Sequence, residues 1–471
     1  MANVVGSGPN GLAAAITLAR AGVPVRVFEA APTPGGGLRS AELTLPGFTH
    51  DVCATVVATA LVSPFFETLN LEALGVELAQ PEIPLGHALE DRAVLLHRDV
   101  DETAEGLGRD GAAYRRLMGP LVREAQGGKL MPSILSPLLR VPRHPLAMAR
   151  FGLPAIAPAT TLGRLLFREE PARALLAGLS AHAMVPLRQP VTASFGMVLA
   201  MSAHSVGWPV VRGGSARLAH ALVETLRALG GEIVTESPVT SLDELPPARA
   251  TLFDVTPRQL LAITGERLPA RYRRALGRFR YGPGACKVDW ALSAPIPWRA
   301  PGLARAGTVH LGGTAADLEV AERAVHQGRV ADRPFVLLVQ ATGADASRAP
   351  VGMHTAWAYA HVPHGSEADV SDLIEAQIER FAPGFRDVVI GRSVRTAPEL
   401  EAYNPNYVGG DINGGLQDLP QLIARPVLRR DPYATPVPGL YLCSTSTPPG
   451  GGVHGMSGYL AAQSALRREF D

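Results

Sequence analysis

The chain has 471 residues, 44 Lys and Arg against 43 Asp and Glu, a net charge of +1 at pH 7, and 46% hydrophobic residues. That length exceeds what one core usually supports, so two domains are expected. No basic tract supplies the footprint of a nucleic-acid binder, and Cys53, Cys286 and Cys443 lie too far apart for a Cys-x-x-Cys pair, which leaves neither a disulfide framework nor a dithiol redox centre.

The first element is an apolar strand, Ala2-Asn3-Val4-Val5, which runs into Gly6-Ser7-Gly8-Pro9-Asn10-Gly11 and an alanine-rich helix over Leu12 to Ala21 stopped by Gly22. In that order Gly6 permits the tight turn, Gly8 lets the backbone approach a pyrophosphate, and Gly11 lets the helix pack closely on the strand. The free N–H groups and partial positive charge of the helix start predict a bound anion. A second strand, Val23 to Phe28, ends in Glu29, whose carboxylate suits the two hydroxyls of an adenosine ribose and repels a 2′-phosphate, so NADP is disfavoured. The glycine run Gly35-Gly36-Gly37-Leu38-Arg39 follows, with an arginine placed to reach the same pyrophosphate.

Between Ala125 and Arg168 the chain has no acidic residue but carries Lys129, Arg140, Arg143, Arg150, Arg164 and Arg168 among many leucines and prolines. Such a segment suits either an anionic membrane surface, leading a lipophilic substrate inward, or a helical lid with its arginines in water. βαβ grammar resumes near Trp208, passes Gly213-Gly214-Ser215, and continues as a helix with Leu218, Leu222, Leu226 and Leu229 on one face, capped by Ser215 and ended by Gly230. Strands at Glu232 to Thr235 and Leu252 to Val255 lead to a helix start at Thr256-Pro257. Strand-like alternation then marks Lys287 to Leu292, Pro334 to Gln340 and His354 to His361. The last block is a strand over Gly439 to Ser444, the turn Pro448-Pro449-Gly450-Gly451-Gly452-Val453-His454-Gly455, and a terminal helix. A helix start aimed at the pyrimidine side of a flavin would stabilise the negative charge of reduction.

These motifs resemble the flavoprotein superfamily that contains amine oxidases, phytoene desaturases and Rab GDP-dissociation inhibitors. Together with Ser347-Arg348-Ala349-Pro350, Tyr407-Val408-Gly409-Gly410-Asp411-Ile412 and the Tyr441 to Gly458 segment, they resemble most its phytoene desaturase and carotenoid isomerase branch, nearest to the group called pyridine nucleotide-disulfide oxidoreductase domain-containing protein 2. The resemblance implies FAD as cofactor and an α/β fold: a Rossmann-like FAD-binding domain from residues 1–68, 205–262 and 430–471, and an α+β substrate domain on a mixed sheet from 69–204 and 263–429. It implies cofactor contacts at Gly6, Gly8, Pro9, Asn10, Gly11, Glu29, Gly36, Gly37, Leu38, Arg39, Val239, Ser444, Gly452 and Val453. The group usually reads Cys-Gly-Ala-Ser where Cys443-Ser444-Thr445 stands here.

Two residues are the catalytic candidates. Lys287, one of only two lysines, resembles the strand lysine that holds a water near flavin N5 in amine oxidases, while pairing with Asp289 is its structural alternative. His454 lies in the last glycine turn, where an imidazole facing the ring would move a proton near neutral pH. His50 and Asp51 are expected to make structural hydrogen bonds, and Asp411 and Asn413 to shape either the substrate chamber or a turn. Only one dinucleotide fingerprint is present and no metal site is expected. The expected activity is dehydrogenation or isomerisation of an apolar or amphipathic small molecule by an FAD-dependent oxidoreductase, with oxygen or a quinone as electron acceptor. A flavin amine oxidase and a non-catalytic binding protein on the same scaffold are the alternatives. With no secretory signal pattern and no apolar run of about twenty residues, a cytoplasmic protein is expected, with peripheral membrane contact through 125–168 as the open question.

Overall fold

The computed structural model describes residues 1–471. Twelve strands make its two main sheets. In chain order the first six are β1 (Ala2–Val5), β2 (Val25–Phe28), β3 (Ile83–Ala88), β4 (Ala93–Leu96), β5 (Glu232–Val234) and β6 (Ala250–Phe253). The others are β7 (Gly284–Leu292), β8 (Ala306–Leu311), β9 (Val336–Val339), β10 (His354–Val362), β11 (Val389–Arg395) and β12 (Leu440–Leu442).

One sheet has the order β12-β6-β1-β2-β5 and is parallel throughout. The strands β1 and β6 at its centre are buried along their whole length because both faces are covered, as parallel sheets require, whereas the edge strand β5 is exposed at Glu232 and Val234. Helix α1 (Pro9–Arg20) follows β1, starting three residues earlier than the alanine pattern predicts because Pro9 fits the first turn, where no N–H is needed. Helices α2 (Ala216–Ala228) and α3 (Met456–Ala465) pack against α1. The approach of α3 is close enough that a Cβ on Gly458 would lie 1.7 Å from the Asn10 carbonyl oxygen.

The expected cap of α2 is corrected. Ser215 stands at the N-cap position, but its hydroxyl is buried without a partner, and the helix start is satisfied from elsewhere. The Ser215 N–H donates to Asp51 Oδ1 at 2.7 Å and the Ala216 N–H to Ser40 Oγ at 3.1 Å. Both acceptors belong to the small hairpin formed by Ser40–Ala41 and His50–Asp51, so the first and second nucleotide-domain blocks are locked through a helix terminus.

The second sheet is mixed, in the order β11-β7-β10-β9-β8-β3-β4, with only the β8–β3 pair parallel. Its strict alternation sends Val288, Trp290, Leu311, Leu338 and Ala358 to an apolar face covered by the helix Ser371–Phe381. The opposite face carries two cross-strand rows. His87, His310, Leu337, Tyr359 and Lys287 form one, and Leu85, Thr308, Val339, Trp357 and Asp289 the other. An α/β fold with a parallel nucleotide-type sheet and a mixed second sheet is the architecture read from the sequence.

Candidate active site

The glycine turn has the geometry its residue types demand. Gly6 has φ +95, and a Cβ on Gly11 would lie 2.1 Å from the Gly6 carbonyl oxygen, so the helix enters against bare backbone. Gly36 touches the same turn, since its Cβ would meet the Gly8 Cα at 2.9 Å. Glu29 stands at the end of β2, where Oε2 accepts the Ser7 N–H at 2.9 Å and Oε1 accepts the Ala31 N–H at 2.9 Å. The Ser7 hydroxyl also donates to Oε2 and Arg39 Nη2 to Oε1, so the chain's own donors take the roughly four acceptor positions of the carboxylate, and a ribose hydroxyl would have to replace one of them. Arg39 donates to the Thr33 carbonyl oxygen and lies 3.4 Å from Glu29 Oε1.

A cavity of about 330 Å³ joins this turn to the mixed sheet. At one end it is bounded by Gly8, Pro9, Asn10, Gly36 and Gly37, in the middle by Gly452, Val453 and Thr445, and at the other end by His182, Leu199, Trp208, Trp357 and Tyr359. Stretches of chain far apart in sequence thus meet in one hollow. Asn10 Oδ1 is buried there without a partner, an acceptor left unsatisfied by the protein. Gly6 and Gly11 shape the turn from behind. Glu29, Leu38, Arg39 and Ser444 lie outside the lining, and Val239 packs on the cluster around Phe253 and Leu260.

Neither catalytic candidate reaches the cavity. The Lys287 ammonium pairs with Asp289, donates to the Asp51 carbonyl oxygen at 3.2 Å and lies 5.0 Å from the Trp357 ring centroid, on the same face of the sheet as the floor but outside the lining. His454 is buried with both ring nitrogens on backbone: Nε2 contacts the Gly450 carbonyl oxygen at 3.1 Å and Nδ1 accepts the Met456 N–H at 3.0 Å. Burial pushes its imidazole down to about 4, so it is neutral and serves the loop. His50 and Asp51 belong to the structural network, with His50 Nε2 on Thr44 Oγ1 and Asp51 on Ser40, Ser215 and Arg348. Asp411 accepts three backbone N–H groups, those of Gly282, Asn413 and Gly415, and so organises the turn that brings Ile412 and Gly414 to the cavity wall.

Sequence reading passed over Asp254, which ends β6 beside the glycine turn. Its Oδ2 accepts the Gly11 N–H at 2.9 Å and would lie 2.8 Å from a Cβ on Gly8. Burial pushes its carboxyl up to about 7, opposed by the Gly11 N–H and reinforced by Glu29. The folded state therefore holds this proton more tightly than the unfolded chain does. The resulting stability is full below the unfolded value, falls as pH rises from about 4, and is lost as pH passes through about 7. Asp254→Asn keeps an oxygen for Gly11 and removes the titration. Its melting temperature is expected to match the wild type near about pH 4 and to exceed it near about pH 8; equal differences at both pH values would refute this assignment. The signal available in the sequence was an acid at the carboxyl end of a strand in a second βαβ unit.

The aromatic end was also illegible beforehand, because His182, Trp208 and the Trp357–Tyr359 pair come from three separate places in the chain and converge only in space.

Residues 4–69 match the family of NAD(P)-binding Rossmann-like domains. Over 98% of its length, and 93% of the relative's, the chain is 27% identical to the pyridine nucleotide-disulfide oxidoreductase domain-containing protein 2 of Rattus norvegicus. It is 28% identical to the phytoene dehydrogenase of Streptomyces griseus over 83% of this chain and 78% of that one. Among solved structures, wild-type putrescine oxidase bound to putrescine superimposes with a TM-score of 0.62 at 16% identity, covering 99% of this chain and 98% of that one, which is a likeness of fold. These likenesses bear out the resemblance read from the motifs and, with it, the reading of the chain as an oxidoreductase.

Proposed function

We propose, from the premise that the chain is a flavin-type oxidoreductase of the amine oxidase and desaturase superfamily, that it binds FAD and oxidises or isomerises an uncharged, largely apolar small molecule. The observation that carries this reading is the single cavity that runs from the glycine turn, past Gly452 and Val453, to the Trp357 and Tyr359 floor. Its residues fit an extended dinucleotide. Gly8, Gly36 and Gly37 line the cradle, Asn10 Oδ1 has no protein donor, and Glu29 stands beside the turn, where a ribose hydroxyl would take the place of the Ser7 hydroxyl or of Arg39. Bound there, FAD would supply the hydride acceptor, and the chain's part is to orient the substrate and exclude water. The division into 1–68, 205–262 and 430–471 against 69–204 and 263–429 assigns each sheet to one of these two tasks.

The lining also argues on substrate class. Its only acidic residue is Asp254, at the glycine-turn end, so no carboxylate meets a substrate cation at the aromatic floor. Lys287 is occupied by Asp289 and the Asp51 carbonyl and acts on that floor only through Trp357. This favours a neutral apolar substrate over an amine.

Purified protein should be yellow, with the visible bands of an oxidised flavin, and should bleach anaerobically with a lipophilic substrate. A colourless protein that takes up no added FAD would reverse the reading in favour of a non-catalytic binding protein. Peroxide production from amines would favour the amine oxidase.

Membrane contact is supported by a surface feature. Seven of the sixteen exposed large hydrophobic side chains fall between Leu138 and Leu165, among them Val141 at 88% and Leu146 at 83% exposure, interleaved with Arg140, Arg143, Arg150 and Arg164. The helix Pro145–Ala155 in this segment packs on the helix Thr192–Val206, whose Leu199 lines the cavity. No helix is long and apolar enough to cross a membrane, so the contact would be interfacial. The protein is expected to co-sediment with phosphatidylserine vesicles and to lose this on combined Val141→Ser and Leu146→Ser substitution; an absence of binding by the wild type would remove the idea.

A further inference from the structure

At the substrate end of the cavity, His182 is the one imidazole in the lining, and one of its ring nitrogens is not committed to the protein. Its Nε2 lies 3.0 Å from Nε2 of His310, and its Nδ1 has no protein partner. His310, on β8, is fully buried, and its own Nδ1 also has no partner. A buried N–H left unpaired is rarer and more costly than an unpaired lone pair. His310 therefore carries its proton on Nε2 and donates it to His182 Nε2. That bond fixes the His182 tautomer, because a neutral imidazole with an accepting Nε2 holds its proton on Nδ1.

Both rings are neutral. Burial pushes the His182 imidazole down to about 3, with His361 a lesser cause, and drives His310 well below its ordinary value by burial first and its histidine neighbours second. The ring is also held in place, since Trp208 meets it edge-on with centroids 6.4 Å apart. Backbone strain flanks the residue: His182 sits in the short turn Ala181–Ala183, and Met184, which follows it, has φ 55 in the left-handed region. A non-glycine residue in that region is a feature concentrated at functional sites.

We propose that His182 presents a neutral N–H donor to the substrate half of the cavity, and that the substrate is an uncharged, otherwise apolar molecule with one acceptor oxygen, a carbonyl or a hydroxyl, held by that donor. This rests on the cavity being the substrate site and deepens that reading by naming a recognition group. A protonated amine is all donor and no acceptor, and would leave the His182 N–H unpaired; a pure hydrocarbon would do the same.

The test uses equilibrium dialysis of three probes of one carbon skeleton against the purified protein with whatever cofactor it retains: 4-phenyl-3-buten-2-one, 1-phenyl-1-butene and 4-phenylbutan-2-amine. The ketone is expected to bind about tenfold more tightly than the hydrocarbon, the scale of one well-made hydrogen bond at a buried site. Its ultraviolet absorption when bound to the wild type should lie to the red of that when bound to the protein with both histidines replaced by leucine. Replacing both members of the pair, His182→Leu with His310→Leu, removes donor and acceptor together and leaves no orphan, so hydrocarbon binding should persist while the ketone preference disappears. His182→Gln, which retains a donor, should restore part of the preference. The Tyr359 hydroxyl also faces the cavity without a protein partner, and Tyr359→Phe should leave the preference intact. No ketone preference in the wild type, a preference that survives the double substitution, or one lost only in Tyr359→Phe would each overturn the proposal. A protein without flavin would fail the functional reading but still give a dialysis result, so the two failures are separable.

Discussion

Arg348→Met is expected to destabilise the protein by about 3–5 kcal/mol, the usual consequence of removing one partner from a buried ion network. Arg348 is 1% exposed and spends its whole guanidinium on the protein. Nη1 donates to Asp51 Oδ2 at 2.9 Å, Nε to Asp345 Oδ2 at 2.8 Å, and Nη2 to the Val211 carbonyl oxygen at 2.8 Å. The two carboxylates are completed by backbone: Asp345 Oδ2 accepts the Gly213 N–H and Asp51 Oδ1 the Ser215 N–H, each at 2.7 Å. Arg348 thus joins the first nucleotide-domain block, the second, and the loop before β10. Without it the two buried carboxylates keep their backbone N–H donors and the hydroxyls of Ser40 and Ser347, but they lose the buried cation they share. Urea unfolding would read the loss as a lower midpoint, and Arg348→Lys should recover only part, since an ammonium cannot serve three acceptors in the guanidinium plane. A midpoint for Arg348→Met within about 0.5 kcal/mol of the wild type would show that the network carries no stability.

Gly11→Ala should abolish retention of the dinucleotide. The new methyl would lie 2.1 Å from the Gly6 carbonyl oxygen and 3.1 Å from Asp254 Oδ2, and the nearer of these is backbone that cannot rotate away. The turn must lift off α1, which moves the helix start from the anion it is built to face. Gly8→Ala is the graded comparison: its methyl would meet only the Asp254 carboxylate, at 2.8 Å, which is a side chain able to shift. The expected series in flavin absorbance per protein is wild type, then Gly8→Ala reduced, then Gly11→Ala colourless, with circular dichroism verifying that the chain is folded. A Gly11→Ala protein with a full complement of flavin would mean that the dinucleotide lies elsewhere.

Much of the nucleotide half was legible because its signals are local. Pro9 at a helix start, Gly6 at positive φ and Glu29 at a strand end each follow from residue type and immediate neighbours, and the alternation over Lys287 to Leu292 is found in β7. Ser347-Arg348-Ala349-Pro350 was visible as a motif but not as a mechanism, since the two carboxylates of Arg348 lie 297 and 3 residues away. The same distance in sequence hid Asp254, whose partner Gly11 is 243 residues off. His454 misled for a local reason: a histidine in a glycine turn suggests a free imidazole, but the turn folds back and takes both nitrogens for its own backbone.

The sequence by itself determined the βαβ pieces, the glycine cradle, the acid for a ribose and the alternation of the second sheet, because turn chemistry and side-chain periodicity act within a few residues. Tertiary structure alone decided which side chains face the cavity. Cross-strand register put Lys287 beside Tyr359 on the cavity-facing side of the sheet, where Asp289 and the Asp51 carbonyl hold it out of the lining, and the meeting of a short turn with β8 gave His182 its partner in His310. Those outcomes depend on which strands become neighbours and on the competition of buried polar groups for a limited set of partners, which no window of sequence contains.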